Sequence, residues 1–106
     1  MKQETIDRIR KFCDDRDWGQ FHSPENLAKS IVIEAAELLE CFQWNGEGYD
    51  IQKVKEELAD VLVYCRDLLD KLGLDEDEIV NKKMDQNEKK YPVEKAKGSA
   101  VKYDKL

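Results

Sequence analysis

Four acidic residues stand in two pairs, Glu34 with Glu37 and Glu57 with Asp60, each spaced i, i+3. On a helix that spacing sets two carboxylates side by side on one face. At about 100° per residue, Glu34 falls about 20° from Leu27, on the edge of a stripe made by Leu27, Ile31, Ala35, Leu38 and Phe42. Glu57 lies within about 20° of Leu68 in the next helical segment, with Tyr64 between Glu57 and Asp60 in angle. Both pairs therefore flank faces that helices bury against one another. Four carboxylates in one cleft repel each other and raise their own pKa values unless a cation sits among them. Without neighbouring His or Cys ligands they select a hard ion, and Mg²⁺, which keeps several waters, suits them. The plainer alternative is a solvated face, as for Glu40, Glu47 and Glu56, because highly charged helices set acids at this spacing by chance. What favours the cleft is that both pairs coincide with apolar stripes on successive helices.

Complementary groups follow in the chain. Ile79, Lys83 and Asn87 repeat at i, i+4, with Val80, Met84 and Tyr91 on the adjoining sector, which places Lys83 and Asn87 on the inward side. Lys83 either pairs with a buried acid or holds a phosphate. A cleft holding metal ions and a lysine suits a polyphosphate. A nucleoside triphosphate carries about four negative charges, so a chain of net charge −6 binds it only where metal ions invert the local field. Trp18, Phe21, His22 and Trp44 gather around the ends of the second predicted helix. They are either core or plates that sandwich a nucleobase, a contact worth about 1–3 kcal/mol per stacked base.

The elements that must position these groups are helices. The chain has 106 residues, 40% of them charged, and only five Gly and two Pro. That length predicts one domain with a thin core, a shortage that dimers or tetramers relieve. Punctuation at Gly19 and Pro24, Gly46 and Gly48, Gly73, Pro92 and Gly98 separates helix-length segments at about 2–15, 24–43, 51–72 and 76–90, followed by a tail at 91–106. Ser23 before Pro24, Asp50, and Asp75 with Glu78 three later read as N-terminal caps, and Gly73 as a left-handed terminator. The expected fold is all-α, a four-helix-bundle-like, oligomeric arrangement with a C-terminal tail. The longest apolar run is Val61 to Cys65, and Met1 to Arg10 carries no apolar stretch, so neither membrane span nor secretory signal is expected. Three cysteines, Cys13, Cys41 and Cys65, without C-x-x-C spacing suggest reduced thiols in the cytoplasm. Acidity argues against long nucleic acid as a partner.

The strings D-W-x-Q-F-H-x-P-x-N-L-A-x-S (Asp17 to Ser30), E-A-A-E-L-L-E-x-F-Q-W (Glu34 to Trp44), E-E-L-A-D-V-L-x-Y (Glu56 to Tyr64), K-M-D-x-N-E-K-K-Y-P-V (Lys83 to Val93) and K-G-S-A-x-K-Y (Lys97 to Tyr103) cover most of the chain. In this order they resemble the MazG-like all-α nucleoside triphosphate pyrophosphohydrolases, and within them the small dCTP pyrophosphatase branch. The resemblance implies Mg²⁺-dependent hydrolysis of the bond between the α- and β-phosphates of dCTP or a modified or damaged nucleotide, to monophosphate and pyrophosphate. It implies Glu34, Glu37, Glu57 and Asp60 as metal ligands; the mechanism expected on that basis has Glu34 or Glu37 take the proton of the attacking water as general base. It further implies His22 and Trp44 against the base, Tyr64 and Asn87 on the sugar or base side, and Lys83 and Lys95 on the phosphates, within a homodimer or homotetramer. The competing reading from another class is a non-catalytic helical oligomer that binds metal or a protein partner.

Overall fold

The computed structural model describes residues 1–44 and 46–106. Among the described residues there is no strand, and five α-helices carry the fold: α1 (Gln3–Asp15), α2 (Pro24–Glu40), α3 (Ile51–Leu72), α4 (Glu76–Lys90) and α5 (Val93–Ala96). Short 3₁₀ turns occupy Trp18–Phe21 and Tyr103–Lys105. No helix among the described residues is long and apolar enough to cross a membrane.

Local chemistry starts and stops these helices. The Ser23 hydroxyl accepts from the Asn26 N–H at 3.1 Å, the Asp50 carboxylate from the Gln52 N–H at 2.9 Å, and the Asp75 carboxylate from the Glu78 N–H at 3.2 Å. Each satisfies an N–H that the first helical turn leaves without a partner. Gly73 closes α3 at φ +65°, a conformation that costs glycine little. The second helix stops short of the predicted residue 43. The N–H groups of Cys41, Phe42 and Gln43 bond three residues back, to Leu38, Leu39 and Glu40, so the last turn tightens into 3₁₀ geometry. The short α2–α3 connection predicted from Gly46 and Gly48 runs through Asn45, which lies outside the described residues.

The chain divides into two compact units, Met1–Gly73 and Leu74–Leu106. In the first, α3 packs against α2 over most of its contact surface and against α1 over a smaller one. Its sealed centre is small: Leu27 is 1% exposed and Ile6 is buried, while most other apolar side chains remain partly open. A charged clamp joins α1 to α3. Arg10 donates from Nε and Nη2 to the two oxygens of Asp70, at 2.9 and 2.8 Å, and Arg66 Nη2 donates to Asp70 Oδ1 at 3.0 Å. The two guanidinium groups hold the Asp70 carboxyl below the usual carboxylate range, chiefly through the Arg10 hydrogen bonds. In the second unit, the last residues fold back on the end of α4: the Tyr91 and Tyr103 rings meet edge-on at 6.2 Å, with Lys90 Nζ 4.9 Å above Tyr103.

Candidate functional site

Packing of α2 on α3 brings the carboxylates of Glu34, Glu37 and Glu57 together, with one oxygen from each inside a set no wider than 4.8 Å. Glu34 Oε2 and Glu57 Oε2 are both buried without a hydrogen-bond partner among the described residues. Buried carboxylate oxygens that lack donors are costly, and a cation is what satisfies them. The electrostatics agree. Interaction with the neighbouring Glu37 carboxyl, then burial, then the charges of Glu37, Asp60 and Glu57 push the Glu34 carboxyl up to about 7. Burial, followed by the hydrogen bond with Glu37, also raises Glu57. The trio therefore fits a divalent ion bound by oxygen, the role the sequence suggests for it. Asp60 stands outside that trio, is exposed, and adds its charge to both Glu34 and Glu57.

Asp60 also belongs to the wall of a cavity of about 470 Å³ between α1, the Trp18–Phe21 turn and α3. From α1 come Thr5, Arg8, Ile9, Phe12 and Cys13, at helical spacing along one face. From α3 come Asp60, Val63, Tyr64 and Asp67, and from the turn and the residue after it Trp18 and His22. Phe12 and Trp18 meet edge-on at 5.4 Å, an arrangement their ring quadrupoles favour. Burial, then the Glu34 charge, raises the Tyr64 phenol, so its O–H remains a donor at neutral pH. Mostly apolar walls with a few polar groups, at this volume, suit a small flat ligand.

The residues suggested by the resemblance thus fall in different places. His22 and Tyr64 share the cavity, whose Asp60 wall links it electrostatically to the carboxylate trio. Trp44 lies past the other end of α2, 93% exposed, at φ +67°. Lys83 is exposed and Asn87 half-buried on α4, and Lys95 is exposed on α5, all in the second unit. Sequence reasoning passed over Phe12, Cys13 and Asp67 as lining residues. The signal for Asp67 was present: Asp60, Tyr64 and Asp67 repeat at i, i+4, i+7.

Fold and site together define an all-α protein that gathers carboxylates from two packed helices beside an aromatic-walled cavity. Residues 29–106 match the MazG-like family. The dCTP pyrophosphatase 1 of Rattus norvegicus is 38% identical over 98% of this chain and 69% of its own length, and that of Homo sapiens is 37% identical over the same shares. The crystal structure of a pyrophosphatase from Archaeoglobus fulgidus superposes with a TM-score of 0.79 at 44% identity, covering 85% of this chain and 91% of that one. The chain belongs to the MazG-like family and is an enzyme of its nucleoside triphosphate pyrophosphohydrolase class.

Proposed function

We propose that this enzyme is a Mg²⁺-dependent diphosphatase for dCTP or a modified or damaged pyrimidine nucleotide, releasing the monophosphate and pyrophosphate. The observation that carries the reading is the Glu34, Glu37 and Glu57 trio, with two donor-less buried oxygens, next to a cavity able to take a base. The dCTP pyrophosphatases among its relatives support the choice of base.

Glu34, Glu37, Glu57 and Asp60 would hold the ion. When bound, Mg²⁺ supplies positive charge to the phosphates and to the attacking water. Glu34 or Glu37 takes the proton of that water as general base. The bond to the oxygen bridging the α- and β-phosphorus breaks, and pyrophosphate leaves with the electron pair. Lys83 and Lys95 neutralise phosphate charge, and Asn87 binds on the sugar or base side. His22 and Tyr64 face the base in the cavity, whereas Trp44, about 25 Å away at the other end of α2, would meet a base only from a second subunit of the oligomer.

Self-association completes the proposal. Val32 and Leu39 are 68% and 70% exposed, and lie one above the other on α2; Ile51, Leu58 and Leu62 form a comparable exposed stripe on α3. Apolar stripes of this kind mark an interface, so the enzyme acts as a homodimer or homotetramer. A cytoplasmic setting, with Cys13, Cys41 and Cys65 as reduced thiols, belongs to the same reading. Incubating the pure protein with Mg²⁺ and a panel of nucleoside triphosphates, then resolving the products, tests the reading. Monophosphate plus pyrophosphate, fastest from dCTP or a modified pyrimidine nucleotide, is expected; diphosphate plus phosphate, or no turnover, overturns it.

A further inference from the structure

A second group of metal-ligating side chains lies apart from the carboxylate trio. Cys13 on α1, His22 after the 3₁₀ turn and Asp67 on α3 each place one ligand atom within a set no wider than 4.8 Å. They share no residue with the trio and differ from it in chemistry: one sulfur, one imidazole nitrogen and one carboxylate oxygen instead of three oxygens. All three line both the cavity of about 470 Å³ and a neighbouring one of about 300 Å³, so they form the partition between the two.

Each ligand is held from its own element. The His22 N–H donates to the Gly19 carbonyl at 3.2 Å, and the Asn26 side chain donates to the Phe21 carbonyl at 3.1 Å, which fixes the turn that carries the imidazole. Asp67 is 8% exposed, yet among the described residues the one hydrogen bond its carboxylate accepts comes from the Cys13 thiol, at 3.8 Å, a weak donor. A carboxylate so deeply buried ordinarily has stronger partners. Arg10 on α1 and Arg66 on α3 both donate to Asp70. In a tetrahedral zinc site, with bonds of about 2.3 Å to sulfur and about 2.0–2.2 Å to nitrogen and oxygen, neighbouring ligand atoms stand about 3.3–3.6 Å apart. A Cys13 to Asp67 separation of 3.8 Å is close to that edge.

We propose that Cys13, His22 and Asp67 bind a borderline divalent cation of the Zn²⁺ type, with a fourth position left open to a cavity. Thiolate and imidazole ligands discriminate against Mg²⁺ and favour zinc, so this site and the carboxylate trio take different ions from the same solution. An ion here occupies the His22 imidazole and withdraws it from the larger cavity. That consequence rests on the nucleotide reading, whereas the ion site itself does not, and the following experiment reads the ion alone.

The full chain, kept in excess Mg²⁺, is titrated with Co²⁺ as a coloured stand-in for Zn²⁺. The expected result is a thiolate-to-cobalt charge-transfer band that saturates at one ion per chain and is bleached by Zn²⁺. The band is absent from Cys13→Ser and persists in Glu37→Gln, while in Asp67→Asn and His22→Gln the affinity falls at least about tenfold. Far-UV circular dichroism confirms that each variant is helical; should Cys13→Ser unfold, His22→Gln, altered at a half-buried position, decides in its place. A wild-type chain without the band overturns the site. A band that survives Cys13→Ser overturns it too, by assigning the sulfur to Cys41 or Cys65. So does one unaffected by His22→Gln, or one lost in Glu37→Gln.

Discussion

Glu34 on α2 and Glu57 on α3 face each other across the helix pair, each with a buried oxygen that no donor reaches among the described residues and with ligand oxygens no more than 4.8 Å apart. Glu37 stands beside both and raises both carboxyls. Without a cation, the cluster relieves its repulsion by retaining a proton; with one, all three carboxylates ionise and the proton leaves. On the proposed reading, folding, metal binding and catalysis are coupled through one proton inventory.

Glu37→Gln removes the acid common to both contacts while keeping its size. The expected result is a fall in kcat of about 10²–10⁴-fold, the range of a lost general base, with the helical circular dichroism unchanged. Because the Glu37 side chain is exposed, the substitution creates no cavity. Near wild-type turnover in the variant would remove Glu37 from the mechanism.

The raised Glu34 carboxyl sets a pH signature on stability. Its pKa goes from an ordinary 4.5 up to about 7 on folding, so the folded state binds this proton more tightly. Its contribution is fully present below about pH 4.5 and is lost as pH rises through about 7. Glu57 and Asp67 shift in the same direction, whereas Asp70 shifts oppositely, and its window lies below 3.8. Metal-free protein is thus expected to lose Tm between about pH 5 and about pH 7.5, and Mg²⁺ to raise Tm more at the upper value. Scanning calorimetry with and without chelator reads both trends. A flat profile with no Mg²⁺ response would separate the trio from metal binding.

Much of this was legible because it is local. Ser23, Asp50 and Asp75 cap through bonds that span two or three residues, and the two acid pairs project from helices whose apolar stripes reveal which faces meet. The end of α2 was less legible, because α-helical and 3₁₀ turns place Phe42 and Gln43 on similar sectors and differ only in which carbonyl each N–H selects. The cavity lay further out of reach. It exists because α1 packs on α3, a tertiary event 50 or more residues apart in sequence, as the contacts of Arg10 with Asp70 and Cys13 with Asp67 attest. Apolar periodicity on α1 announces a buried face without naming what it is buried against.

The same clamp can be broken. Asp70→Ala takes from Arg10 two hydrogen bonds and from the buried Arg66 its Asp70 carboxylate. The expected loss is about 1–3 kcal/mol in urea unfolding, since buried donors to charged partners are costly to strand. Arg10→Ala costs less, because the Arg10 side chain is half open to water and Arg66 keeps Asp70. Equal losses in the two variants would show that Arg66 takes no part.

Trp44 breaks two local rules at once, being an aromatic side chain at φ +67° and 93% exposed. Non-glycine residues in that region cost about 1–2 kcal/mol, and no packing offsets the cost within the described chain. Trp44→Gly is expected to leave Tm within a few degrees while raising KM, and to raise it most for the preferred nucleotide. A uniform rise across nucleotides would give Trp44 a role in assembly instead of base choice.

Leu39 tests that assembly. At 70% exposure it contributes little to the core of its own chain, so Leu39→Asp changes monomer stability by only about 0.5 kcal/mol. Across an interface of two copies, the same carboxylate would be desolvated twice without a partner, a cost of several kcal/mol that dissociation avoids. Sedimentation velocity is expected to show wild-type dimers or tetramers and Leu39→Asp monomers that remain helical. The α2–α3 contact that assembles the trio lies within one chain, so such monomers should retain Mg²⁺ binding by calorimetry. Wild-type protein that sediments as a monomer would leave Val32 and Leu39 without the covering surface proposed for them.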